Sequence, residues 1–205
     1  MTLPTRLVWS WRITAHWSES HYTRVNFTGI AMLDLPNTDA GHGRALWLQS
    51  KIPATVRLLD AGGIGELLTF HDPALVTACD DLSGFGPGHT IRAGTFRQGD
   101  VQALPFQDDG FDVAVLTEVL EHVPLPWIAL REAGRVAPRV LITMPFEARW
   151  QNPIAFRVAG HIRYATVDIL ALHLRLAGLD GEIGMLEWGG WSFLVADVAR
   201  RAVAA

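Results

Sequence analysis

One cysteine, Cys79, occurs in the 205 residues of the chain. A single thiol excludes an internal disulfide and any thiolate metal cluster within one chain, and it fits a reducing, intracellular compartment. No run approaches the roughly 18 apolar residues that a membrane helix needs. The opening "MTLPTRLVWSWRITAHWSES" places arginines and tryptophans where a signal peptide needs an unbroken apolar stretch. A cytoplasmic protein that does not span a membrane is therefore expected. A basic excess is missing as well: the formal net charge is −4. Nucleic acid is accordingly not an expected partner, and Arg200 and Arg201 read as a solvated end. Internal repeats and low-complexity segments are absent.

What is present is a composition of 49% hydrophobic and 19% charged residues, which suits one globular domain with a large core. After about residue 50, short apolar strands alternate with helical segments, the signature of a parallel α/β sheet with crossover helices. The strand candidates are "TVRLLD" (Thr55 to Asp60), "LVTAC" (Leu75 to Cys79), "FDVAVLT" (Phe111 to Thr117) and "RVLITMP" (Arg139 to Pro145). Their near-continuous apolar character predicts burial on both faces. A short helix is expected to open at Gly65 and to stop at His71 to Pro73. "WIALREAGRV" carries apolar residues at helical spacing. "ATVDILALHLRLAGL" predicts an amphipathic helix with Thr166 as N-cap and Gly178 near its close. "EIGMLEW" and "SFLVADV" then form two strands around the short "GGW" turn, which forces an antiparallel hairpin. Residues 1–50 are less regular and read as a cap or lid on a domain spanning 51–205. Trp9, Trp11, Trp17 and Trp47 in that cap read as packing residues.

The stretch "LLDAGGIGELLTF" runs a strand into a glycine turn, the build of a nucleotide-cofactor site. It lacks the third glycine of the dinucleotide fingerprint, because Gly63 and Gly65 are followed by Leu68. Asp60 closes the strand just before Gly62. At the carboxyl end of a sheet its charge would repel a pyrophosphate and attract an ammonium group, although an Asp here also suits the cap of the next turn. Gly62, Gly63 and Gly65 allow close backbone approach. Asp80 and Asp81 end the next strand, about twenty residues on, where a carboxylate accepts from a ribose diol. Asp100 follows the short segment "TFRQG", a further strand candidate, and is placed to accept from an adenine amine, with Val101 on the adenine face.

The ordered set "LLDAGGIGE", "ACDDL", "GDVQALPF", "FDVAVLTEVLEHV", "ALREAGRV" and "HIRYATVDILALHLRLAGL" resembles class I S-adenosylmethionine-dependent methyltransferases, in particular their small-molecule, type 11-like branch. The resemblance covers about residues 55 to 200 and is strongest over Gly99 to Val123. It implies a Rossmann-like, mostly parallel sheet of about seven strands with a C-terminal antiparallel hairpin and helices on both faces. It implies S-adenosylmethionine as cofactor. Asp60 and Gly62 would lie near the methionine moiety, Asp80 on the ribose, Asp100 and Val101 at the adenine, and Thr117 and Glu118 on the cofactor's other side. One departure stands: the family's acidic-x-G-x-G-x-G is one residue shorter here. That shortening keeps open a second class of function, a non-catalytic cofactor-binding or regulatory module on the same fold.

Methyl transfer from a sulfonium needs alignment first, and an alcohol acceptor gains from a general base. His122 is the first candidate base, at the sheet's carboxyl edge near Glu118. His161, Arg163 and Tyr164 form a second polar group, with His161 a further catalytic candidate and Arg163 suited to a substrate carboxylate or phosphate, or to an internal salt bridge. Trp150, Trp188 and Trp191 offer an aromatic wall, the last two alternatively a sheet cover or a homodimer contact. Tyr22, with His16 and His21, is a weaker acceptor-site candidate, and His173 reads as a packed or surface residue. No His, Asp or Glu set has metal-ligand spacing along the sequence. The acceptor is expected to be a small molecule.

Overall fold

Strands β5 (Val113–Thr117) and β6 (Arg139–Pro145) show why the apolar runs must be strands. Ala114 and Leu116 of β5, with Val140, Ile142 and Met144 of β6, belong to one core cluster, whereas Val113, Val115 and Leu141 belong to another. Alternate residues thus enter two cores, one on each face of the sheet, and both must be apolar. In this computed structural model the described residues are 9–12, as backbone only, then 40–83, 90–147, 160–188 and 191–201, with side chains from residue 43.

The remaining elements are β1 (Trp9–Arg12), α1 (Ala40–Lys51), β2 (Leu58–Ala61), β3 (Val76–Asp80), β4 (Thr95–Gln98), α2 (Pro126–Val136), α3 (Val167–Ala177), β7 (Leu179–Trp188) and β8 (Trp191–Arg200). The sheet order is β1-β7-β8-β6-β5-β2-β3-β4. β4, β3, β2, β5 and β6 run parallel, while β8, β7 and β1 add antiparallel. The mostly parallel Rossmann-like sheet and its C-terminal hairpin are as expected. An eighth strand, β1, comes from the N-terminal segment and pairs with β7, Trp9 opposite Met185. Trp47 and Leu48 of α1, with Ile52 just after it, pack against Leu58, Val115, Leu141 and Phe193 in the core of one face. The other face is covered by α2 and α3, through residues such as Leu130, Ala133, Leu170 and Leu174.

Capping chemistry sets the bounds of α3. The Thr166 hydroxyl accepts from the Ile169 N–H at 3.2 Å, and Gly178 closes the helix at φ +75°. The crossover from β2 to β3 differs from expectation. In place of a short helix there is one 3-10 turn at Glu66–Leu68 and another at Pro73–Leu75. Pro73 lacks an N–H to continue any helix, and the Asp72 carboxylate takes the Ala74 N–H at 3.0 Å, starting a new turn instead.

The order reverses between β2 and β5: the chain passes outward from β2 to β4 and returns on β2's other side. Their carboxyl ends flank a topological switch point, where open α/β sheets bind ligands. Among the described residues no helix is long and apolar enough to cross a membrane.

Candidate functional site at the switch point

A cavity of about 640 Å³ opens at the carboxyl ends of β2 to β5. Its walls include Gly62 after β2, Asp80 and Asp81 at β3, Asp100 and Val101 after β4, and Glu118 and His122 after β5. The volume falls in the range of about 300–1,000 Å³ that suits a cofactor-sized ligand.

Gly62 has φ +83°, and a Cβ there would come within 2.6 Å of Val119 Cγ2. Only glycine tolerates both the left-handed backbone and that approach. Gly63 and Gly65 do not line the cavity; they shape the turn beneath it. The Gly65 N–H donates to Asp60 Oδ2 at 2.7 Å, and a Cβ on Gly63 would collide with the Asp60 carboxylate. Asp60 is only 4% exposed and does not line the cavity. It acts as the turn's anchor. Burial pushes its carboxyl up to about 6, with the Gly65 hydrogen bond pulling the other way and the charge of Asp80 adding to the rise.

Asp80 lines the cavity with one oxygen, Oδ1, taken by the Leu82 N–H at 2.5 Å. The carboxylate keeps acceptor capacity on its second oxygen. Burial raises its pKa, against the Leu82 hydrogen bond. Asp81 is exposed, is bonded by the Ser83 N–H at 2.8 Å, and is held low, chiefly by Ser83. Asp100 is likewise exposed and accepts from the Gln102 N–H at 2.8 Å, whereas Val101 is buried at 7%. Thr117, the last residue of β5, pairs in register with Thr143 and does not line the cavity.

Glu118 follows at φ +57°, a conformation costly for a non-glycine residue. Three contacts hold it there. Its main-chain N–H donates to the Thr143 carbonyl at 3.0 Å, the Thr143 hydroxyl donates to Oε1 at 3.1 Å, and Arg44 Nη1 of α1 lies 2.7 Å from Oε2. Burial raises the Glu118 carboxyl, opposed first by the Arg44 charge.

The loop after Glu118 is laced to the segment before α3. The Ile162 N–H donates to the Glu121 carbonyl at 3.0 Å. The Arg163 guanidinium donates to the carbonyls of Leu120 and Val123 and, at 3.0 Å, of Pro124. Arg163 is thus engaged with main-chain carbonyls, not presented to a substrate anion. This lacing brings His161 beside His122: their ring centroids are 4.9 Å apart at 79°. His161 Nδ1 bonds Glu147 Oε1. Burial lowers the His122 pKa, aided by His161, so the ring is neutral and able to take a proton near pH 7. Tyr164 is exposed at 47%. Trp188 is buried against Gly43 of α1, which makes it a sheet cover, and Trp191 is 41% exposed. Tyr22 and Trp150 lie outside the described residues. His173 is packed, 8% exposed and 5.9 Å from the Trp127 ring.

Three residues were not singled out in the sequence. Arg44 reaches Glu118 across 74 positions of the chain, Glu147 orients His161, and Glu121 is fully buried with no hydrogen-bond partner among the described residues on either carboxylate oxygen. Glu121, His122 and His161 place ligand atoms within 4.8 Å of one another. Spacing along the chain gave no metal-ligand pattern because the third member arrives from a distant segment.

Residues 74–139 match the family model described as "Methyltransferase domain". An uncharacterized methyltransferase of Mycobacterium tuberculosis is 32% identical over 135 residues, covering 58% of this chain and 50% of that protein. The chain spans about half the length of the curated relatives it matches. Among solved structures, a S-adenosylmethionine-dependent methyltransferase of Thermotoga maritima, described as a possible histamine N-methyltransferase, superposes with TM-score 0.63 at 16% identity, over 79% of this chain and 89% of that one. Magnesium protoporphyrin IX methyltransferase of Synechocystis with bound S-adenosylhomocysteine gives 0.52 at 16% identity, over 78% and 84%. At these identities the structures establish the fold. Residues 74–139 are thus similar to a methyltransferase domain, and most of the chain has the fold of the solved S-adenosylmethionine-dependent methyltransferases.

Proposed function

We propose that the protein transfers a methyl group from S-adenosylmethionine to an oxygen or nitrogen of a small metabolite. The observation that carries the reading is the cavity at the switch point, floored by Gly62 and bounded by carboxylates at the ends of two adjacent strands, Asp80 and Asp100. These residues suit the cofactor. Gly62 brings main chain without a side chain to the cavity wall, Asp80 retains an acceptor for ribose hydroxyls, Asp100 faces the same cavity for the adenine amine, and buried Val101 offers an apolar face to the ring.

The chemistry supplied by the bound cofactor is an activated methyl on a positively charged sulfur, open to displacement by an acceptor aligned within about 3 Å. The remaining work falls to the chain. Asp80 and Asp100 fix the adenosine end, the glycine turn held by Asp60 gives the backbone its close approach, and Glu118 sets a negative charge beside the cavity. Neutral His122, at the cavity wall, accepts the proton of a hydroxyl acceptor, and His161 is held in place by Glu147. A net charge of −4 disfavours nucleic acid as the acceptor.

One feature favours a second reading, a binding or regulatory module. Asp60 is buried beneath the shortened turn, and two 3-10 turns stand where a helix would follow it. Transfer of labelled methyl from S-adenosylmethionine to a panel of hydroxyl and amine metabolites separates the two. Product formation supports the enzyme. Cofactor binding without turnover across the panel supports the module.

A further inference from the structure

We propose that Glu121, His122 and His161 form a binding site for a divalent transition-metal ion at the wall of the cavity. Two imidazoles and one carboxylate are a ligand set for borderline divalent cations such as Zn²⁺, Co²⁺ or Fe²⁺. Their ligand atoms lie within 4.8 Å of one another, with His122 Nε2 4.0 Å from Glu121 Oε1. Two ligands each about 2.1 Å from one ion stand no more than about 4.2 Å apart. Closing the set therefore asks for side-chain adjustments of less than an ångström.

The second observation is Glu121 itself. Its side chain is 0% exposed, and among the described residues neither oxygen has a hydrogen-bond partner. A buried carboxylate without partners is costly, and a cation is the partner that compensates it most fully.

A third feature lies one shell further out. Glu147 is buried at 5% and bonds His161 Nδ1. With that nitrogen carrying the proton, Nε2 holds the lone pair, the arrangement by which carboxylates orient metal-ligating histidines. His122 and Gly160 line the cavity, so the ion would sit where a small molecule reaches it. Three protein ligands leave coordination positions for a ligand oxygen or nitrogen. With the ion bound, His122 would serve as its ligand and not as the base, and the ion itself would hold and polarise an acceptor hydroxyl.

The proposal does not depend on methyl transfer, and its test uses the metal alone. The full chain, dialysed against chelator, is titrated with CoCl₂ and followed by the visible absorption of bound Co²⁺, with ZnCl₂ calorimetry in parallel. One ion per chain is expected, with a dissociation constant of about 10 μM or tighter. Glu121→Gln and His161→Ala should each weaken binding at least tenfold, and Glu147→Gln by about tenfold or more. Glu121→Gln keeps shape and removes a buried charge, so its fold survives; unchanged far-ultraviolet circular dichroism checks each variant. No binding at millimolar Co²⁺, or binding that all three folded variants leave unchanged, overturns the site. Loss of S-adenosylhomocysteine binding with metal binding intact would count against the methyltransferase reading alone.

Discussion

Arg44 Nη1 lies 2.7 Å from Glu118 Oε2, so an ion pair ties α1 to the loop that leaves β5. The side chains are 16% and 23% exposed, too enclosed for water to screen the pair fully. Glu118 is also held at a positive φ by its contacts with Thr143. Arg44→Met should therefore leave a buried acid without its cation and destabilise the protein by about 2 kcal/mol, less than a fully buried pair would lose. The double variant Arg44→Met with Glu118→Gln should recover at least half of that loss. Urea unfolding of the four proteins in this cycle measures the coupling, and additive losses would show that the pair contributes nothing.

Asp60 makes stability depend on pH. Its carboxyl sits at about 6 in the native state, raised mainly by burial, against about 3.9 for an unperturbed Asp. Between these values the native state keeps a proton that the unfolded chain has lost. Stability therefore falls as pH rises from about 4 to about 6, and the loss is complete above that window. Two units correspond to about 3 kcal/mol. Asp60→Asn retains an oxygen for the Gly65 N–H and removes the titration. Its stability relative to the native sequence should improve by about 2–3 kcal/mol between pH 4 and pH 7.5 in urea unfolding. A difference that stays flat with pH would place the Asp60 carboxyl in water.

Gly62 carries two constraints that substitution can separate. A Cβ costs roughly 1–2 kcal/mol at φ +83° and about 1–3 kcal/mol more through its approach to Val119 Cγ2. Gly62→Ala should thus destabilise by about 2–5 kcal/mol. Measured in the Val119→Ala background, the same substitution should cost only the backbone part. An equal cost in both backgrounds would mean that the loop moves away from Val119.

Much of this was legible before any coordinates. The runs of β5 and β6, the Thr166 and Gly178 caps and the hairpin all follow from local rules, because each depends on residues within one element or one turn. That Asp80, Asp100 and Val101 share one cavity follows for the same reason: each lies at or just after a strand's carboxyl end, and in an open α/β sheet those ends converge. The roles that escaped depend on segments far apart in sequence. Arg44 lies in the segment read as a cap. Arg163 was read as an anion binder or a salt-bridge partner, yet it binds three carbonyls of a loop 39 to 43 residues away. Glu121, within "EVLEHV", has no local mark that distinguishes a buried, unpartnered acid from one on the surface of a helix. The first turn after β2 was misjudged as a helix because its apolar residues, among them Leu68, suit a 3-10 turn equally well.

The central claim is that the switch-point cavity holds adenosine through Asp80. Calorimetric titration of S-adenosylhomocysteine into the full chain and into Asp80→Ala tests it most directly. The account predicts binding at one per chain to the unaltered protein and a dissociation constant raised at least tenfold in the variant. No binding to the unaltered protein at millimolar S-adenosylhomocysteine, or equal affinity in the two proteins, would contradict it.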